Sequence, residues 1–131
     1  RSKVYQRCKY VVEEIQRVQL AVQDLAKGDM QAFGKKMFET HKGLSKLYEV
    51  SCPELDFLVE ATSHNENVLG ARMMGGGFGG CTINIIKKSA VEEITKALTA
   101  NYAKKMHKEL AVYITSIEDG THIVEGTHLV A

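Results

Sequence analysis

Five of the six residues from Gly75 to Gly80 are glycine, in the run Arg72-Met73-Met74-Gly75-Gly76-Gly77-Phe78-Gly79-Gly80-Cys81-Thr82. A segment so poor in side chains does not extend a helix or strand, because each glycine loses more backbone entropy on ordering than alanine and buries nothing in return. It must be a loop, and its flanks say of which kind. Val68 to Met73 and Thr82 to Lys87 are short apolar runs, rich in β-branched residues on the second side, which predicts two strands joined through the glycines. Two or three glycines suffice for a hairpin turn. Five allow successive N–H groups to turn toward one point, a concave nest suited to phosphate or another anion; the plain alternative is a flexible hairpin connection.

Ahead of this loop the pattern is helical. Val4, Cys8, Val11, Ile15, Val18, Val22 and Leu25 recur at alternating steps of four and three, the stripe of one long helix. A coiled coil has the same spacing, but Lys27-Gly28-Asp29 supplies a terminal glycine and a new cap, which favours packing of the stripe within a domain. Met30, Phe33, Met37, Leu44 and Leu47 continue as a second helical face, in which Gly34 and Gly43 each cost about 1 kcal/mol relative to alanine. Ser51-Cys52-Pro53-Glu54 opens a third helix carrying Leu55, Leu58 and Val59. Either Ser51 and Glu54 form a capping box, or Cys52 is the N-cap with Pro53 at the first helical position.

After the second strand, Ser89 and Glu92 repeat the capping-box spacing before Val91, Ile94, Leu98, Tyr102 and Met106, a fourth helix ending near His107. Ala111 to Ile117 reads as a strand, and Asp119-Gly120 as a hairpin turn into His122 to Val124. Gly120-Thr121-His122-Ile123-Val124 recurs as Gly126-Thr127-His128-Leu129-Val130, but a solenoid needs about three units. The order of elements predicts an α+β domain, with helices covering one face of an antiparallel sheet. No linker divides residues 1–131, and their number suits one core.

Composition excludes several classes. Seventeen basic and sixteen acidic residues are interspersed for a net charge of +1, so no polybasic stripe awaits a nucleic acid. No apolar run reaches membrane-spanning length and no signal-peptide layout opens the chain, so a soluble, cytoplasmic protein without a membrane partner is expected. Cys8, Cys52 and Cys81 form no close pair and read as reduced thiols packed as small hydrophobes. His41, His64, His107, His122 and His128 lack metal-ligand spacing, and no metal site is expected. The chain starts at Arg1 directly in a helical pattern, which reads as a piece of a longer protein.

Known glycine motifs narrow the loop further. Gly75, Gly77 and Gly80 satisfy G-x-G-x-x-G, yet the dinucleotide fingerprint needs a helix after the third glycine, and here Thr82-Ile83-Asn84-Ile85-Ile86 is a strand. A Walker A loop ends in Gly-Lys-Ser/Thr, whereas Cys81 follows Gly80 and the next lysine is Lys87. The protein-kinase loop has the right strand-loop-strand setting, but Lys87 and Lys88 come late and no His-Arg-Asp or Asp-Phe-Gly follows.

The segment from Arg72 to Thr82 resembles the third motif of galactokinases, within the GHMP kinase superfamily. Tyr48-Glu49-Val50-Ser51-Cys52-Pro53-Glu54-Leu55-Asp56 resembles a galactokinase signature and is the more specific of the two. Arg7 to Glu14 and the Gly28-Asp29 turn also sit as in that family, so the resemblance runs over roughly residues 5 to 115. It implies a ferredoxin-like α+β fold of the GHMP kinase C-terminal type, the antiparallel sheet carrying its helices mainly on one face. It implies a parent enzyme that transfers the γ-phosphoryl group of MgATP to the anomeric hydroxyl of galactose. The nucleotide loop, most sugar contacts and the catalytic aspartate and arginine would then lie on an N-terminal domain, the partner of this one, and no catalytic residue on this chain.

On that reading Gly75, Gly76, Gly77, Phe78, Gly79 and Gly80 form a substrate-facing and phosphate-facing loop at the interdomain cleft, where positioning and charge stabilisation govern phosphoryl transfer. One residue departs from the family, which usually places threonine before the triple glycine where this chain has Met74; a hydroxyl is replaced by a thioether. Arg72 is a possible phosphate ligand, weighed against an exposed or interdomain arginine, and Phe78 is expected to cap the loop by packing. His41 reads as a partly exposed, inert helical histidine, and Glu13-Glu14 as a solvated face. Glu54 reads as a capping residue and Asp56 as favourable first-turn charge. The alternatives are a related kinase, such as one for N-acetylgalactosamine, and a non-catalytic ferredoxin-like regulatory module.

Overall fold

The computed structural model describes residues 2–123. Helix α1 (Lys3–Lys27) is capped by the Ser2 hydroxyl, which accepts from the Tyr5 amide, and ends at Gly28 in the left-handed conformation, φ 72°. Asp29 then caps α2 (Met30–Gly43) through a bond from the Ala32 amide, as its position after the glycine predicts. α2 runs on into a π-helical turn, Leu44–Tyr48, closed by Glu49 at φ 60°. Helix α3 (Pro53–Ser63) follows, then the antiparallel hairpin β1 (Val68–Met74) and β2 (Cys81–Ile86), a short 3-10 turn (Lys88–Ala90) and α4 (Val91–Met106). α2 and α3 pack against β1, α1 lies on α2, and α4 leans on α3. The α+β class with an antiparallel sheet is thus realised.

Leu55, Leu58 and Val59 of α3 are buried with Ala71 and Met73 of β1, while Val68, Ala90 and Ile94 form a second cluster flanked by Phe38 and Ile86. Tyr102 of α4 meets Phe57 of α3 with ring centroids 6.1 Å apart, a tilted pair that ties the last helix down.

Several expectations are corrected. The α1 stripe does not pack within the domain: Val4, Cys8, Val11, Ile15, Val18, Val22 and Leu25 are all exposed. The opposite, polar side faces inward instead. Tyr10 is buried, Glu14 accepts from the Thr40 hydroxyl, Arg17 pairs with Glu39 and Asp24 with Lys36. Specific ion pairs and hydrogen bonds therefore orient α1, and periodicity, which locates a stripe but not its partner, pointed the wrong way. Glu14 is accordingly half-buried and bonded rather than solvated.

At α3 the choice falls on Cys52 as N-cap with Pro53 at the first position, and no side chain caps the helix; Ser51 has another use. The Ser89 capping box is not formed either, because the 3-10 turn precedes α4 and Ala90 occupies the N-cap. Ala111 to Ile117 forms no strand, and residues 109–123 carry no regular element. Alternation makes a segment fit for a sheet, but only hydrogen bonds to a neighbour make it a strand, and none of the described strands pairs with it. Asp119-Gly120 and residues up to Ile123 are likewise irregular, and Val124 with the second Gly-Thr-His copy lies outside the described residues.

Candidate functional site: a glycine loop anchored on a buried hydrogen-bond network

The β1–β2 register pairs Met73 with Thr82 and Met74 with Cys81, so the loop starts where the ladder ends. Gly75, Gly77, Gly79 and Gly80 have φ of 85°, 88°, 143° and 96°, a backbone closed to most side chains. Phe78 adopts φ 60° without being glycine, and strain of this kind costs of order 1 kcal/mol. One contact holds it there. The Phe78 N–H donates to the Val50 carbonyl at 2.7 Å, just before α3.

The five glycines have different reasons to be glycine. A Cβ on Gly77 would stand 2.1 Å from the Val50 oxygen, whereas at Gly75 and Gly79 it would meet none of the described residues within 4 Å, and these two need only their positive φ. Gly76 has neither constraint: its φ lies outside the left-handed region and a Cβ there would meet nothing within 4 Å among the described residues. The Phe78 ring does not cap the loop, being 77% exposed. With Gly79, Gly80 and Met74 it borders an open cavity of about 860 Å³ that extends past Leu98 to Tyr113. Met74 is exposed at the end of β1. Arg72 is half-buried, near enough to Tyr10 that its charge acts on the phenol.

Beneath the loop lies a cluster that residue-by-residue reading missed. His41 is buried, not partly exposed; its Nδ1 accepts from the Met73 N–H at 3.1 Å and its Nε2 meets Asp56 Oδ1 at 3.1 Å. An Nδ1 that accepts leaves the ring proton of the neutral imidazole on Nε2, so His41 donates to Asp56. The same carboxylate accepts from Ser51 Oγ at 2.6 Å and from Ser45 Oγ at 2.8 Å. Asp56 sits in the first turn of α3 as expected and is also a hub, while Glu54, in the same turn, forms no capping box with Ser51 and pairs with Lys108. The available signal was His41 four residues before Ser45, one helical turn, but their shared partner Asp56 lies on a different helix.

Burial pushes the His41 pKa below its ordinary value, and the Asp56 carboxylate offsets only part of that. Burial pushes Asp56 up, but the hydroxyls of Ser51 and Ser45 lead the opposing causes and leave it below the usual carboxylate range. In both cases the folded state binds fewer protons than the unfolded chain, so the contribution to stability is complete above the unfolded pKa and is lost as pH falls through the folded one. The urea midpoint should decline as pH drops below about 6.5, the unfolded value for histidine, and again below about 3.9, that for aspartate. His41→Gln should abolish the first decline and keep the second; an unchanged profile would remove His41 as its source.

Among the described residues no group of three or more His, Cys, Asp or Glu side chains could hold a metal ion, and no helix is long and apolar enough to cross a membrane.

Comparison with known proteins identifies what this arrangement is similar to. The sequence model of the family "GHMP kinases C terminal" matches residues 21–104. A galactokinase of Bos taurus is 41% identical over 123 residues, 94% of this chain and 30% of that protein. A galactokinase of Thermotoga maritima is 43% identical over 114 residues, 87% of this chain and 33% of that protein. The crystal structure of Lactococcus lactis galactokinase complexed with galactose matches with a TM-score of 0.80 at 32% identity, over 83% of this chain and 28% of that one. The chain thus spans about a third of the length of the curated relatives it matches.

Proposed function

The chain belongs to the GHMP kinase C-terminal family, and from that premise we propose that it is the C-terminal domain of a galactokinase, an enzyme that phosphorylates D-galactose to galactose 1-phosphate with MgATP. The domain supplies one wall of the active site, the loop Gly75 to Gly80. An N-terminal domain supplies the nucleotide loop and the catalytic groups, and the enzyme works in the cytoplasm. Both similar galactokinases are about three times as long as this chain, which supports the two-part assignment.

The observation that carries the reading is Gly76. Neither backbone strain nor any neighbour among the described residues requires a glycine there. A glycine that serves nothing internal fits a backbone approached closely from outside, as a substrate phosphate or sugar would approach it. The loop's share in catalysis is positional, since phosphoryl transfer depends chiefly on alignment and on stabilising charge.

The test joins this chain to the first two-thirds of the Thermotoga maritima galactokinase and measures ADP release with galactose and with N-acetylgalactosamine. Turnover of galactose by the joined protein, with none by the 131-residue chain alone, is the expected result. Phosphorylation of galactose by the chain alone would overturn the two-part assignment, and preference for N-acetylgalactosamine by the full-length polypeptide that carries this chain, with its own N-terminal domain, would overturn the sugar.

A further inference from the structure

We propose that His41 and Asp56 are positioning residues for phosphoryl transfer: through two backbone amides, one at the stem and one within the bend, they fix where the glycine loop stands. The proposal rests on the kinase reading above and extends it to residues that touch no substrate.

A loop of five glycines has almost no side chains with which to hold itself, so its position must be imposed from outside. Two amides do so. At the stem, the Met73 N–H leaves β1 on the side away from β2 and is taken by His41 Nδ1. Within the bend, the Phe78 N–H is taken by the Val50 carbonyl. These anchors sit on different segments, one on α2 and one ahead of α3, and Asp56 joins them: one carboxylate oxygen accepts from His41 Nε2 and from the hydroxyl of Ser51, the residue after Val50. Ser45 takes the other oxygen and fixes the carboxylate plane. Remove the His41–Asp56 bond, and the stem and bend are no longer referred to one point.

The chemistry of the link also requires a neutral imidazole, because a doubly protonated ring would turn an N–H toward the Met73 N–H. Burial holds His41 in that neutral form.

The experiment compares His41→Gln with His41→Leu and Asp56→Leu in the full-length polypeptide that carries this chain. Glutamine can accept from Met73 through Oε1 and donate to Asp56 through Nε2; leucine fills similar space and can do neither. His41→Gln should keep kcat within about threefold, while His41→Leu and Asp56→Leu lower it by about tenfold or more per folded molecule, as expected for a displaced loop. Amide hydrogen exchange over residues 73–80 should quicken in those two variants and not in His41→Gln. Equal kcat for His41→Gln and His41→Leu, or exchange at 73–80 unchanged in both His41→Leu and Asp56→Leu, would overturn the proposal. If the unmodified polypeptide fails to phosphorylate galactose, the kinase reading falls, and the exchange comparison still decides whether His41 and Asp56 hold the loop.

Discussion

Gly77→Val should cut galactose turnover in the full-length polypeptide by about 100-fold or more, the cost of moving a positioning element by roughly an ångström. Two effects act together. At φ 88° a β-branched residue is strained wherever it stands, and here its Cβ would also lie 2.1 Å from the Val50 oxygen and 3.0 Å from the Val50 carbon. That carbonyl has little room to retreat, because Val50 is itself bonded to Leu44 and its oxygen receives the Phe78 N–H. The loop must therefore lift off its anchor. Gly76→Ala separates this from a contact with substrate: its Cβ meets nothing within 4 Å among the described residues, so stability should hold while turnover falls. Cys8→Ala, at an exposed α1 position, should change turnover little. If Gly77→Val and Cys8→Ala had equal effects on kcat/KM, the loop would be a turn and nothing more.

How much of this was legible in the sequence follows from where each signal resides. The glycine run predicts its own hairpin because chain entropy and missing side chains are local properties, and Gly28-Asp29 predicts a stop and a start for the same reason. Helices α1 to α4 and strands β1 and β2 appear where period and composition place them. What failed was partnership. The α1 stripe is a helix stripe, but its neighbours within the chain lie on the other side, joined through Glu14, Arg17 and Asp24. Ala111 to Ile117 has the alternation of a strand and no ladder. His41, Ser45, Ser51 and Asp56 look ordinary one at a time and become a network only once α2 and α3 are docked. Phe78 is the instructive case among the site residues: a lone aromatic among glycines suggests packing, yet its amide is what is held and its ring is left outside.

Gly34→Ala should be the more destabilising of the two glycine-to-alanine changes within α2, since Gly43 faces a side chain and Gly34 faces backbone. Helix propensity predicts the opposite, a gain of about 1 kcal/mol for replacing a glycine inside α2. Packing decides the sign. A Cβ on Gly34 would stand 1.9 Å from the Leu69 oxygen and 2.4 Å from its carbonyl carbon, and a Cβ on Gly70 would stand 2.5 Å from the Gly34 Cα. The two glycines face each other so that the backbone of α2 rests directly on the backbone of β1. Neither surface is the movable end of a side chain, so relief requires shifting the helix from the strand whose far end carries the glycine loop. Inserting a methyl group into tight packing costs about 1–3 kcal/mol where side chains can adjust, and more where the obstacle is backbone, which outweighs the propensity gain. A net loss of about 3 kcal/mol should lower Tm by roughly 10 °C for a chain of this size. Gly120→Ala, in an exposed segment with no described residue within 4 Å of its Cβ, should leave Tm within about a degree, as surface substitutions generally do. A Gly34→Ala variant as stable as the parent in thermal and urea unfolding would mean that α2 does not lie on β1 at this distance, and the route from His41 to Met73 would fail with it.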